Sequence, residues 1–122
     1  MVKEIILASK SGVRKKILEE NNIKCKIEPS NVDEDSVKES LLKEKVTPTI
    51  ISKNLAELKA NKISQKFIEE IVLGADSVID LEGEIISKPN DRAEALEILK
   101  KINGKTHQLI SSVCISRGGS MI

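Results

Sequence analysis

Glu70-Ile-Val-Leu-Gly-Ala-Asp-Ser-Val-Ile-Asp80 is the most strand-like stretch of the 122-residue chain, carrying Ile71, Val72, Leu73, Val78 and Ile79. Beyond it, Glu82-Gly83 reads as a hairpin turn returning through Glu84-Ile85-Ile86 to Ser87-Lys88-Pro89. A helix follows from about Asp91, apolar at Ala95, Leu96, Leu99 and Ile102, with Gly104 as its stop. Thr106 to Ser116 reads as a final strand, and Arg117-Gly118-Gly119-Ser120 as a further turn, so the sequence is expected to end inside a hairpin. On the N-terminal side, Pro48 suits the first turn of a helix with Ile51, Leu55, Leu58, Ile63 and Phe67 on or near one stripe. Ser36 and Glu39 have capping-box spacing, which predicts a helix start there with Val37, Leu41 and Leu42 inside. Val2 to Ala8 and Ile23 to Glu28 read as short strands, separated by a helix through Val13, Ile17 and Leu18 that Asn21-Asn22 ends. Strands alternating with helices predict an α/β or α+β fold, a mixed twisted sheet flanked by helices in one domain over 1–122.

Composition excludes several functions. With 39% hydrophobic and 32% charged residues the chain is too apolar for a disordered tail. Twenty Lys+Arg against nineteen Asp+Glu leave a net charge of +1, and aromatics are 1%; neither suits nucleic-acid binding by bulk charge or base stacking. The first residues carry Glu4 and only a short apolar run, so no secretory signal is expected, and no run approaches the roughly 18 residues of a membrane span. Cys25 and Cys114 are far apart, each in an apolar segment, which points to a reducing cytoplasm. Two Cys and one His without metal-ligand spacing argue against a structural zinc site, and the lone His107 reads as structural.

Three places carry chemistry. Ala8-Ser9-Lys10-Ser11-Gly12-Val13-Arg14-Lys15-Lys16 brings two hydroxyls and four cations to a helix N-terminus, where cations oppose the macrodipole and a bound phosphate would resolve the conflict. A serine cap followed by solvated lysines is the alternative. Asp33-Glu34-Asp35 lies between a strand and a helix, either as carboxylates for a divalent metal or as helix caps. Asp76 is a carboxylate in an otherwise apolar strand, which costs several kcal/mol unless it is paired, hydrogen-bonded or metal-bound. It is either a site residue or a strand-end cap. Lys59 and Lys88 are unremarkable taken alone.

In order and spacing, Leu7-Ala-Ser-Lys-Ser-Gly-Val-Arg-Lys-Lys-Ile-Leu18, Val32-Asp-Glu34, Leu55-Ala-Glu-Leu-Lys-Ala60, Leu73-Gly-Ala-Asp-Ser77, Gly83-Glu-Ile-Ile-Ser-Lys-Pro89 and Ile102-Asn-Gly-Lys-Thr-His107 resemble the Maf family of nucleoside triphosphate pyrophosphatases. The resemblance implies a cleft between two lobes, as in the related inosine triphosphate pyrophosphatases. It implies hydrolysis of the α–β phosphoanhydride to the monophosphate and pyrophosphate with a divalent metal, Mg²⁺ or Mn²⁺, in house-cleaning of nucleotide pools, an association with cell-division arrest, and a homodimer. By position it assigns Ser9, Ser11 and Arg14 to the phosphate-binding loop and Ser77 to substrate binding. Asp76 and Glu34 become catalytic residues and metal ligands, and Lys59 and Lys88 neutralise the triphosphate.

The sequence departs from the pattern in three ways. Gly12-Val13 stands where many members have Pro-Arg, so one expected cation is missing beside Arg14, and members with a non-Arg residue at the position of Val13 include the branch credited with methylated guanosine triphosphates. Ser77 replaces the Thr of the thymidine/uridine branch. Members also continue through a further segment, which leaves a non-catalytic nucleotide-binding or regulatory fragment as the alternative function.

Overall fold

The computed structural model describes residues 4–9, 12–86 and 91–122. Its elements in chain order are β1 (Ile5–Leu7), α1 (Gly12–Glu20), β2 (Cys25–Ile27), α2 (Glu34–Lys43), α3 (Pro48–Ser64), β3 (Val72–Leu81), β4 (Glu84–Ile86), α4 (Arg92–Ile102), β5 (His107–Arg117) and β6 (Ser120–Met121). The strands form one mixed six-stranded sheet in the order β2-β1-β3-β5-β6, with β4 also on β3. β1 runs parallel to β2 and β3, and the pairs β3–β4, β3–β5 and β5–β6 are antiparallel. This is the mixed, helix-flanked α/β sheet that the order of elements predicts.

α3 is built by its apolar spacing. Thr47 caps it by accepting from the Ile50 amide at 3.3 Å, and Pro48 opens the first turn. Ile51, Leu55, Ala56, Ala60 and Ile63 repeat along one buried stripe, and Ala56, Ala60 and Ile63 pack against Val72, Ile6, Ala8 and Cys114 of the sheet. Burial of side chains such as Leu55 and Ile63 contributes about 1.5–3 kcal/mol each. Phe67 closes the end of this cluster, whereas Leu58 lies outside the stripe and is exposed.

Other details differ from the sequence reading. α2 begins two residues before Ser36, because the carboxylate of Asp33 takes the capping role: it accepts from the Ser36 amide at 3.2 Å and the Ser36 hydroxyl at 2.9 Å. An ionised acceptor with two oxygens outbids a serine hydroxyl at the same start. α1 and α4 bury no residue among those described, so Val13, Ile17, Leu96 and Leu99 are exposed rather than internal. Both hairpins turn through consecutive residues at positive φ, Glu82-Gly83 and Gly118-Gly119, the geometry that matches the twist of antiparallel strands. The second returns as β6, pairing Ser120 with Arg117 and Met121 with Ser116.

Candidate active site

The register of β3 against β5 decides which residues face α3. Gly74 pairs with Cys114 and Asp76 with Ser112, and side chains alternate along a strand, so Gly74, Asp76 and Val78 share one face. At Gly74 the helix comes so close that a Cβ would collide with the Ala56 carbonyl oxygen and lie 2.7 Å from the Ala60 nitrogen and 2.8 Å from the Ala60 Cβ. The missing side chain lets α3 lie directly on β3. Ser52, Ala56 and Ala60 present the matching small surface, and Lys59, one position before Ala60, is carried down onto Asp76.

Lys59 and Asp76 are buried, at 8% and 4% exposure. The Lys59 ammonium donates to Asp76 Oδ1 at 3.2 Å and to the Ala75 carbonyl at 3.4 Å, and it forms an ion pair with Glu34 Oε1. An ammonium has three N–H donors, and these three acceptors match them. The Ser52 hydroxyl, fully buried, donates to the Asp76 backbone carbonyl at 3.1 Å. Burial pushes the Asp76 carboxyl above the usual carboxylate range, partly offset by the Lys59 charge and its hydrogen bond. Its second oxygen, Oδ2, is buried with no hydrogen-bond partner among the described residues. Such an atom carries a desolvation penalty unless something polar reaches it.

Asp33 and Glu34 divide the acidic cluster between them. Asp33 is the cap, and hydrogen bonds from Ser36 hold its carboxyl below the usual range. Glu34, at the first helical position of α2, is turned to Lys59. The other cluster forms where β1 ends: the Ser9 amide bonds back to the Leu7 carbonyl at 2.9 Å, turning the chain, and the Arg14 guanidinium donates to Ser9 Oγ at 3.0 Å. The Ala8 amide bonds the Leu73 carbonyl at 2.9 Å, so this turn leaves the sheet beside β3 just before Asp76. That is the carboxyl end of a parallel strand, where open α/β sheets bind ligands.

The structure thus joins Asp76, Glu34 and Lys59 in one cluster and Ser9 with Arg14 in a second. Ser77 is not brought to the carboxylates: its side chain is on the opposite face of β3, with Oγ 2.8 Å from Ser111 Oγ. Ser11 and Lys88 lie outside the described residues. His107 is exposed at the end of β5. The sequence reading missed Ser52 and Gly74. Their signal was a glycine inside an apolar strand together with small residues at Ser52, Ala56 and Ala60, one helical face.

A divalent metal suits this donor set. Two carboxylates and an orphaned buried oxygen are what Mg²⁺ uses when waters and substrate phosphates complete its shell. Among the described residues no group of three or more His, Cys, Asp or Glu is placed to enclose a metal by protein alone. No helix of the described residues is long and apolar enough to cross a membrane.

Known proteins are similar to this sequence. A nucleoside triphosphate pyrophosphatase of Pelagibacter ubique (strain HTCC1062) is 93% identical over 122 residues, all of this chain and 63% of the relative. A dTTP/UTP pyrophosphatase of Pyrococcus furiosus is 37% identical over 99% of this chain and 60% of its own length. A 7-methyl-GTP pyrophosphatase of Brucella abortus is 37% identical over 100% of this chain and 61% of its own. The chain therefore spans about six-tenths of the length of the curated relatives it matches. Residues 4–121 match the sequence profile of the Maf-like proteins, and on that match the chain belongs to the Maf family.

Proposed function

We propose that this chain carries the catalytic centre of a nucleoside triphosphate pyrophosphatase. The observation that carries the reading is Asp76, a buried carboxylate held on one oxygen by Lys59 while the other, Oδ2, has no hydrogen-bond partner among the described residues. A water at Oδ2 would be oriented by Asp76, which accepts its proton as the water oxygen attacks the α-phosphorus. The α–β bridging bond breaks and pyrophosphate leaves. Ser9 and Arg14 sit where the turn after β1 can receive phosphate oxygens, Arg14 with the planar fork suited to them. A divalent ion such as Mg²⁺, held by Asp76 and Glu34, would supply charge neutralisation on the triphosphate. Ser11 and Lys88 are kept as substrate contacts from the family resemblance alone, whereas Ser77, bonded to Ser111 on the opposite face of β3, is left out of the proposed site. Free, buried Cys25 and Cys114 support a reducing, cytoplasmic setting. A homodimer is carried over by the same resemblance.

Pyrophosphate release from a panel of nucleoside triphosphates with Mg²⁺ tests the function. The panel includes dTTP, UTP and 7-methyl-GTP, because the relatives so named are equally similar to this chain. Asp76→Asn is expected to lower turnover by about 10²-fold or more while nucleotide still binds. Full turnover by Asp76→Asn removes it as the base, and nucleotide binding with no release by the unmodified chain rejects the enzymatic reading.

A further inference from the structure

We propose that Lys59 is a built-in counter-ion that holds the Glu34–Asp76 carboxylate pair when no divalent cation is present and is released toward the substrate phosphates when one binds. This rests on the reading of the pair as a metal site. Lys59 reaches Glu34 Oε1, Asp76 Oδ1 and the Ala75 carbonyl, so its three donors are already engaged by the protein. A lysine so saturated has no donor left for a triphosphate unless it surrenders one of these partners. Charge supplies the trigger. Two carboxylates carry two negative charges, and one ammonium balances half of them. A divalent cation on the same oxygens balances both, leaving Lys59 with surplus positive charge beside it and a polyanion as its better partner. Asp76 Oδ2 gives the incoming ion a first foothold, being buried and without a hydrogen-bond partner among the described residues while Lys59 occupies Oδ1. In the free protein Lys59 thus keeps buried Asp76 and half-buried Glu34 from facing each other uncompensated.

The test measures Mn²⁺ binding without nucleotide, by the electron-spin resonance of the free ion, on the unmodified chain, Lys59→Met and Lys59→Gln. Removing the resident cation is expected to tighten Mn²⁺ binding about tenfold or more in Lys59→Met, with Lys59→Gln, which keeps a polar head, in between. Glu34→Gln in either background is expected to weaken it. Equal or weaker binding by Lys59→Met overturns the proposal, as does a Lys59→Met chain that takes up no Mn²⁺. A second readout needs no variant at residue 59: acetylation of Lys59 in the unmodified chain, followed by mass spectrometry, is expected to speed up several-fold at saturating Mg²⁺. A rate that Mg²⁺ leaves unchanged also overturns the proposal. The outcomes separate from those for the function. Tightened Mn²⁺ binding without pyrophosphate release keeps the counter-ion and rejects the enzyme, whereas release with no tightening does the reverse.

Discussion

Asp76 sits where its surroundings oppose its charge, and two pH effects follow with opposite signs. Burial raises its carboxyl in the folded protein, so the folded state holds its proton to higher pH than the unfolded chain does. The related stability is fully present below the unfolded carboxylate value and is lost as pH rises through the folded one. At neutral pH the ionised Asp76 therefore lowers stability, and Asp76→Asn is expected to raise the melting temperature. The gain should shrink as the pH is lowered toward about 3, where the native carboxyl is neutral as well. Thermal melts of both chains at the two pH values check this, and a gain that grows in acid contradicts it. On the proposed role of Asp76 as the base, activity runs the other way, because a base must be ionised. The acid limb of the pH–rate profile is then expected above the range of an exposed carboxylate.

At the scale of elements, everything in the cluster depends on how closely α3 lies on β3. Gly74→Ala is expected to destabilise by about 1–3 kcal/mol, because the new methyl meets the backbone of Ala56 and Ala60 rather than a side-chain tip that can move. Turnover should fall in the surviving folded fraction as well, since Lys59 rides on the displaced helix. Gly12→Ala is the control: nothing lies within 4 Å of its added methyl, and denaturant melts should place it within about 0.5 kcal/mol of the unmodified chain. The stripe Ile51, Leu55, Ile63 made α3 legible in the sequence, and an acid among Val72, Leu73 and Val78 made Asp76 legible. Lys59 was not legible from its own neighbourhood. A lysine on a helix looks solvated until the partner strand is known, and only the family resemblance singled it out. Ser52 was hidden for the same reason, since a helical serine reads as surface until a carbonyl across the packing interface is seen to accept from it. The start of α2 was misplaced because two capping signals overlap within Asp33–Glu39 and local spacing does not rank them. The apolar faces of α1 and α4 show the limit of periodicity, which reports that a face is apolar and not what meets it.

Across the whole molecule, the segments that meet at the site come from distant parts of the chain. α3, β3 and β5 bury Ile63, Val72 and Cys114 against one another. β1 joins that unit through a register in which Ile6 meets Val72 and Leu7 meets Leu73, and through Ile6 and Ala8 in its core, residues far from α3 and β3 in the chain. Closing so long a loop is an entropic burden that nearest-neighbour hairpins avoid. The parallel pairing should consequently form late in folding and open first in the native state, and hydrogen exchange measures this directly. The amides of Ile6 and Ala8, which bond the Ile71 and Leu73 carbonyls, are expected to exchange faster than those of β3 paired to β5. Equal protection across both would show a single cooperative unit instead. Since β1 delivers Ser9 and, through α1, Arg14, the half of the proposed site that would take phosphate is then assembled last and loosened first, onto a cluster of Asp76 and Lys59 already in place.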